Sequence, residues 1–337
     1  MAMLTDTLFR PLRDLRISLT DRCNFRCRYC MPKEVFGPNF QFLPKDTLLT
    51  DDEIERLARI FVSLGVRKLR LTGGEPLLRP NLEYLIARLA SIALVEDISL
   101  TTNGSLLTHE KAKRLKEAGL KRVTISLDSL DDDTFMRLND VDCRSETILS
   151  AIDAALEAQL TPVKVNMVVI KGTNDTQVVP MAERFRGTGV IVRFVEYMDV
   201  GNTNHWEMQQ VYPAKDIVNS IHDRWPLVPV QRSQPGEVAT RYQYADGQGE
   251  IGLISSVTAP FCGACTRARL SAQGKLFLCL FASSGFDLQH YLRQGESDEV
   301  ITDQIRSIWS KRDDRYSELR SSQTMVKSKV EMSHIGG

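Results

Sequence analysis

Apolar and polar side chains alternate one by one in a series of short runs, at residues 14–20, 68–72, 97–101, 122–128, 162–170 and 190–198. Successive side chains of a strand point to opposite faces, so each run reads as a strand with one apolar and one polar side. In the first, Leu15, Ile17 and Leu19 oppose Arg16, Ser18 and Thr20; in the second, Leu69 and Leu71 oppose Lys68, Arg70 and Thr72. Ser99 and Thr101, then Thr124, Ser126 and Asp128, then Lys164 and Asn166 continue the polar side in the next three. Between the runs the apolar period lengthens to that of a helix, as at residues 51–64, where Ile54, Leu57, Ala58, Phe61 and Leu64 share a face. Thr50 with Glu53 forms a capping box at its start, and Gly65 supplies a stop. Similar helices are predicted at about 80–92, 108–118, 144–159 and 176–186.

Strand and helix in strict alternation imply parallel pairing through right-handed crossovers. The predicted fold is α/β, an incomplete (β/α)6 TIM-like barrel, with helices on the apolar side of the strands and a polar, partly cationic interior. A barrel packed with side chains would show nearly continuous Val, Ile and Leu instead. An antiparallel sheet with one solvated face gives the same alternation, but helices between strands exclude hairpins for most pairs. After Met198 the regularity ends. Residues 199–211 read as a loop, 212–224 as a helix, 227–257 as short strands, 267–270 with 275–279 as a hairpin, and 286–294 and 298–320 as helices. The expected division is a barrel over residues 1–200 and a C-terminal α+β region, 201–337, closing its open side.

The 337 residues carry 43 basic and 43 acidic side chains. A balanced chain has no global field for nucleic acid or an acidic membrane, so an anionic ligand must be held by a local cluster of cations. No run is long and apolar enough to span a bilayer, and residues 1–16 lack the core of a secretion signal, so the expected location is cytoplasmic. Seven cysteines in such a setting argue for metal or redox chemistry over a disulfide framework.

Six of those cysteines form two groups, Cys23-x3-Cys27-x2-Cys30 and Cys262-x2-Cys265-x13-Cys279, while Cys143 stands alone and is assigned no role. Thiolates select zinc, copper(I) or iron-sulfur clusters. A structural zinc site takes four ligands, so three thiolates either recruit a further side chain or leave a coordination position open for a small molecule. Zinc ribbons share the Cys-x2-Cys pattern of the second group, and a distant His or Asp could complete the first.

The segment Cys23-Asn24-Phe25-Arg26-Cys27-Arg28-Tyr29-Cys30 resembles the signature of radical S-adenosylmethionine (SAM) enzymes, and Thr72-Gly73-Gly74-Glu75-Pro76 is similar to their glycine-rich motif. The second cysteine group, with Arg267, Arg269 and the terminal Gly336-Gly337, narrows the likeness to the GTP 3',8-cyclases of molybdenum cofactor biosynthesis, over nearly the whole chain. The resemblance implies two [4Fe-4S] clusters. Cys23, Cys27 and Cys30 would hold the one that binds and cleaves SAM, and Cys262, Cys265 and Cys279 one whose open iron faces the guanine base. The adenosyl radical would take hydrogen from ribose C3', the C3' radical would attack C8, and reduction of the resulting base radical by one electron and a proton would give (8S)-3',8-cyclo-7,8-dihydroguanosine 5'-triphosphate.

By the same resemblance, Arg16, Arg70, Thr101, Lys164, Arg193, Arg267 and Arg269 bind GTP, and Tyr29, Gly74, Ser126 and Met198 contact SAM. Arg16, Arg267, Arg269, Gly336 and Gly337 are the expected catalytic set, with the tail entering the site. Arg267 and Arg269, two apart in an extended segment, point to one face and can reach one ligand. A flavodoxin- or ferredoxin-type reductant, a homodimer and hand-off of product to cyclic pyranopterin monophosphate synthase are implied as well. A peptide-modifying radical SAM enzyme and a metal-sensing or electron-transfer module without substrate are the competing readings; the first leaves the Arg267 and Arg269 pair and the Gly-Gly end without a role, the second the polar barrel interior.

Overall fold

The computed structural model describes residues 3–231, 236–320 and 328–336. Each alternating run becomes a strand: β1 (Asp14–Ser18), β2 (Lys68–Thr72), β3 (Asp97–Thr102), β4 (Arg122–Ser126), β5 (Lys164–Val169) and β6 (Ile191–Glu196). Helices α1 (Asp51–Ser63), α2 (Leu82–Ala90), α3 (His109–Glu117), α4 (Asp132–Asn139), α5 (Ser145–Glu157) and α6 (Val178–Phe185) lie between them. The capping box of α1 is formed: the Glu53 amide donates to Thr50 Oγ1 at 3.1 Å, and the Thr50 amide donates to Glu53 Oε2 at 2.8 Å. Gly65 follows with φ 117°, a left-handed residue that ends the helix.

The apolar parity of every strand is shut away, with Leu15, Ile17, Leu69, Leu71, Val123 and Ile125 fully buried in one continuous core with the helices. At about 25 cal/mol per Å² of apolar surface, this layer is the main stabilising term. The polar parity faces inward, as alternation requires.

The C-terminal half adds α7 (Ala214–His222), β7 (Leu227–Val230), β8 (Thr240–Tyr244), β9 (Glu250–Ile254), β10 (Arg267–Leu270), β11 (Lys275–Phe277), β12 (Phe286–Asp287), α8 (Leu288–Arg293), α9 (Asp298–Ser310), α10 (Tyr316–Leu319) and α11 (Met332–Ile335). The single sheet runs β12-β11-β10-β1-β2-β3-β4-β5-β6-β9-β8-β7. It is open, an incomplete TIM-like barrel. The six-strand expectation falls short in one respect: β10 pairs parallel with β1 and β9 parallel with β6, so the parallel run is extended at both edges before antiparallel hairpins begin.

Three further boundaries differ from the sequence reading. Strands β1, β4 and β6 end two residues and β5 one residue earlier than the alternation suggests, because the chain there turns into the cavity-facing loops, while β2 ends as expected and β3 runs one residue further. Helix α4 is unanticipated; Asp131 caps it by accepting from the Thr134 amide at 2.9 Å. The helix expected over 298–320 is broken at 311–315, where Arg312 leaves the helical path to become almost fully buried.

Candidate active-site cavity

The sheet curls around a cavity of about 860 Å³, toward the upper end of the roughly 300–1,000 Å³ usual for small-molecule sites. Both cysteine groups line it, as do Tyr29, Gly74, Ser126 and Met198 and every cationic residue expected from the sequence to bind nucleotide.

The first cysteine loop follows β1 and is pinned by backbone bonds. The amides of Arg26 and Arg28 donate to the carbonyls of Asn139 and Leu138 at the end of α4, at 2.9 and 3.1 Å. The Arg26 guanidinium ties the loop to itself through the carbonyls of Cys23, Phe25 and Phe36, each at 2.7 Å. The glycine motif after β2 is pressed against the same segment: Gly74 and Glu75 donate to the carbonyls of Thr20 and Arg22, both at 2.8 Å. A Cβ on Gly74 would lie 2.3 Å from the Arg22 carbonyl oxygen, and one on Gly73, at φ 148°, 2.6 Å from that of Thr20. Close approach of two chain segments thus demands these glycines.

Two acids in this region were missed as functional groups by sequence reasoning. Glu75 is fully buried and accepts from Thr102 Oγ1 and the Asn103 amide, both at 2.7 Å, and from the Leu77 amide at 2.9 Å. Burial pushes its carboxyl up to about 7 against those bonds. Asp128 accepts from the Tyr29 hydroxyl at 2.8 Å and the Val168 amide at 2.8 Å. The polar parity of β4 already included Asp128; its bond to Tyr29 could not be read from the chain.

All six grouped cysteines are free thiols. Burial raises those of Cys23, Cys27 and Cys30, and Cys27 is pushed further by the negative charge of Cys23, Asp128 and Cys30. Thiols that disfavour one another's charge stay protonated unless a cation binds among them. In the second group burial alone would raise Cys265, but Arg267 and Arg312 bring it down to about 6. Among the described residues no three His, Cys, Asp or Glu are gathered tightly enough for a single metal ion. In a four-iron cluster each thiolate binds a different iron, so three soft donors around one hollow fit that group without converging on a point.

The same cavity carries a wall of cations created by strand register. Arg16 on β1 is aligned with Arg269 on β10 at one side and with Arg70 on β2 at the other. Thr101, Thr124 and Lys164 form a second aligned row across β3, β4 and β5. Neighbouring strands are about 4.8 Å apart, and like charges opposite one another are destabilising. Burial and the surrounding positive charges accordingly lower Arg16 well below its ordinary range, Arg70 and Arg269 to about 10, and Lys164 to about 7. Among the described residues Arg16, Arg70 and Lys164 have no side-chain hydrogen bond or ion pair, and the buried Thr101 hydroxyl has no partner. Such a row of buried, unpaired cations is suited to an anionic ligand.

The remaining expected residues differ in how they are engaged. Arg193 faces the cavity but donates to Asn166 Oδ1 at 2.9 Å and Thr124 Oγ1 at 3.2 Å. Arg267 lies 5.4 Å over the Phe261 ring. Arg269 donates to the Gly336 carbonyl, and Gly336, at φ 77°, sits where a Cβ would be 2.4 Å from Thr72 Cγ2. The tail is held there by Glu331, which accepts from the Asn202 amide at 2.9 Å and from Thr203 Oγ1 at 3.1 Å. Gly337 lies outside the described residues. Arg122, absent from the sequence-derived set, lines the cavity but is paired with Asp97 at 2.5 Å.

No described helix is long and apolar enough to cross a membrane. Residues 17–185 match the Radical SAM superfamily, and residues 190–318 match Molybdenum Cofactor Synthesis C. A GTP 3',8-cyclase of Acidothermus cellulolyticus is 53% identical over 322 residues, covering 94% of this chain and 89% of the relative. One of Staphylococcus aureus is 48% identical over 338 residues, covering 99% of each. Among solved structures, Streptococcus suis SuiB bound to S-adenosylmethionine superposes with a TM-score of 0.62 at 16% identity, over 88% of this chain and 68% of that one, a likeness of fold. The chain belongs to the GTP 3',8-cyclases, radical SAM enzymes of molybdenum cofactor biosynthesis that use a [4Fe-4S] cluster and SAM to convert GTP.

Proposed function

We propose that GTP lies across the cation wall between two [4Fe-4S] centres, one on Cys23, Cys27 and Cys30 and a second on Cys262, Cys265 and Cys279. When bound, the first centre and SAM supply the 5'-deoxyadenosyl radical that opens the ribose C3'–H bond. The chain's own residues do the rest by placement. Arg16, Arg70, Lys164, Arg267 and Arg269 take the triphosphate, whose charge relieves their mutual repulsion, and the Thr101 hydroxyl gains a partner. Arg193, already bonded to Asn166 and Thr124, faces the same cavity and joins the nucleotide-binding set. Tyr29, Gly74, Ser126 and Met198 frame the SAM pocket, with Asp128 holding the Tyr29 ring. Gly336 brings the tail against Arg269, and Gly337 is assigned to the same catalytic set.

The observation that carries this reading is the aligned row Arg269, Arg16 and Arg70, a costly arrangement in an unliganded protein and a favourable one beneath a polyanion. The test is anaerobic reconstitution with iron and sulfide, then incubation with SAM, reductant and GTP. Cyclised triphosphate and GTP-dependent 5'-deoxyadenosine are expected; deoxyadenosine formed equally without GTP would count against it.

The reading extends, on family membership, to a cytoplasmic homodimer, a flavodoxin- or ferredoxin-type reductant, and delivery of product to cyclic pyranopterin monophosphate synthase. It also keeps a functional division near residue 200, SAM chemistry before it and the second centre after. Sedimentation of the holoprotein tests the dimer.

A further inference from the structure

Each of the three turns that carry the second cysteine group is gripped by a guanidinium from elsewhere in the chain. Arg10 Nη1 donates to the Cys262 carbonyl at 2.9 Å. Arg312 Nη1 donates to the Cys265 carbonyl at 2.9 Å, Nη2 to Cys265 Sγ at 3.2 Å, and Nε to the carbonyl of Leu278, the residue before Cys279, at 3.2 Å. One carboxylate joins the two arginines. Asp6 Oδ2 accepts from Arg10 Nε at 2.6 Å and from Arg312 Nη1 at 3.1 Å, while Oδ1 accepts the amides of Leu8 and Arg10, both at 2.9 Å.

The side chains of Asp6, Arg10 and Arg312 are at most 2% exposed. The Arg312 guanidinium stacks 4.7 Å from the Trp309 ring, whose Nε1 donates to the Arg10 carbonyl, and the Thr7 hydroxyl donates to the Arg312 carbonyl. Two buried cations against one buried carboxylate leave a positive charge in surroundings that penalise it. Asp314, at the rim, comes no nearer to Arg312 Nε than 3.8 Å, though its carbonyl accepts from Arg10 Nη1 at 2.8 Å. Glu318 also acts on Arg10, and Cys265, its Sγ 3.2 Å from Nη2, is the negative partner that bears most on Arg312. Asp6 and Arg10 precede the region matched to the Radical SAM superfamily, and Arg312 sits in the last stretch matched to Molybdenum Cofactor Synthesis C, so the assembly draws on both ends of the chain.

We propose that Asp6, Arg10 and Arg312 are positioning residues of the second metal centre: they fix its three cysteine-bearing turns, and Arg312 places a charged N–H donor on one ligand sulfur. The proposal rests on the reading of Cys262, Cys265 and Cys279 as cluster ligands. Hydrogen bonds to ligand sulfurs and net local charge set the potential of an iron-sulfur centre, and partners behind the ligands set how firmly metal is held. Removing Arg312 withdraws a positive charge and an N–H from Cys265, so the second centre becomes harder to reduce.

The test uses the full chain, anaerobically reconstituted, as wild type, Arg312→Met, Arg312→Lys and Asp6→Asn. Iron and sulfide per chain, loss of iron to a chelator, and potentiometric EPR of each centre are measured. In Arg312→Met the second centre's midpoint potential moves negative and its iron is held about 10- to 100-fold less tightly, while the first centre keeps its iron and its SAM-dependent spectral change. Arg312→Lys, which restores the charge without the fork, recovers part of the potential. Asp6→Asn loosens the second centre's iron with a smaller change of potential. Unchanged potential and iron retention in both Arg312 variants would overturn the proposal, as would equal loss from both centres. If wild type takes up the iron of only one cluster, it is the second-centre reading itself that fails.

Discussion

Arg269 and Gly336, 67 residues apart in sequence, meet in the cavity, the guanidinium donating to the glycine carbonyl. The contact places the C-terminal tail against the same arginine that stands in register with Arg16. Removing Gly336 and Gly337 is therefore expected to abolish cyclisation while SAM still binds. Gly336→Ala should act in the same direction, since its Cβ would meet Thr72 at a φ that only glycine adopts readily. Product analysis beside SAM titration checks both; normal cyclisation by the truncated chain contradicts the role given to the tail.

Removal of one unpartnered cation should weaken nucleotide binding without disturbing the first centre. Charged hydrogen bonds contribute about 1.5–3 kcal/mol, so Arg16→Ala and Arg70→Ala are each expected to raise the Kd for GTP about 10- to 150-fold. Because both relieve crowding among like charges, the ligand-free thermal midpoint should hold or rise. Calorimetric titration and a melting curve of the same samples separate the two effects.

Lys164 gives the site a pH dependence. Burial first, then Arg193, Arg122 and Arg70, lower it to about 7, so near neutrality it is half charged when the cavity is empty. A triphosphate restores the charge, and binding takes up a proton. Affinity is expected to fall as pH rises through about 7, by up to tenfold per unit for one linked proton. In the ligand-free protein the unfolded chain holds the extra proton between about 7 and 10.5, so this group makes the fold more stable as pH rises across that window. Titrations in buffers of different ionisation enthalpy read the proton directly, and Lys164→Met should abolish the dependence.

Gly74→Ala forces a Cβ to within 2.3 Å of the Arg22 carbonyl oxygen, backbone that leads directly into the first cysteine loop. Overpacking of this kind costs about 1–3 kcal/mol. Lower stability together with weaker iron retention at the first centre is the expected result. A variant equal to wild type in both would mean that the contact relaxes freely.

Much of this was legible in the chain because it depends on local period and spacing. Alternation at Arg16, Arg70, Thr101 and Lys164 announced a polar interior, and Cys23, Cys27 and Cys30 announced the radical SAM cluster before any fold was known. The register that aligns Arg269 with Arg16 was not legible, since it joins strands some 250 residues apart and no local signal fixes which Cα opposes which. Helix α4 escaped for a different reason: eight residues with a short apolar face give little periodicity, although Asp131 carried the cap. Arg312 was hidden inside what reads as a continuous helix; its burial comes from tertiary contacts with Asp6 and Cys265, both remote in sequence.

The central claim is that GTP bridges the cation wall and the second cysteine group. EPR of the reduced, reconstituted Cys27→Ala protein, expected to hold only the proposed second centre, measures it directly with and without GTP. A changed spectrum on adding GTP, lost again in Arg16→Ala at the same nucleotide concentration, is predicted. A second-centre spectrum indifferent to saturating GTP would contradict the account.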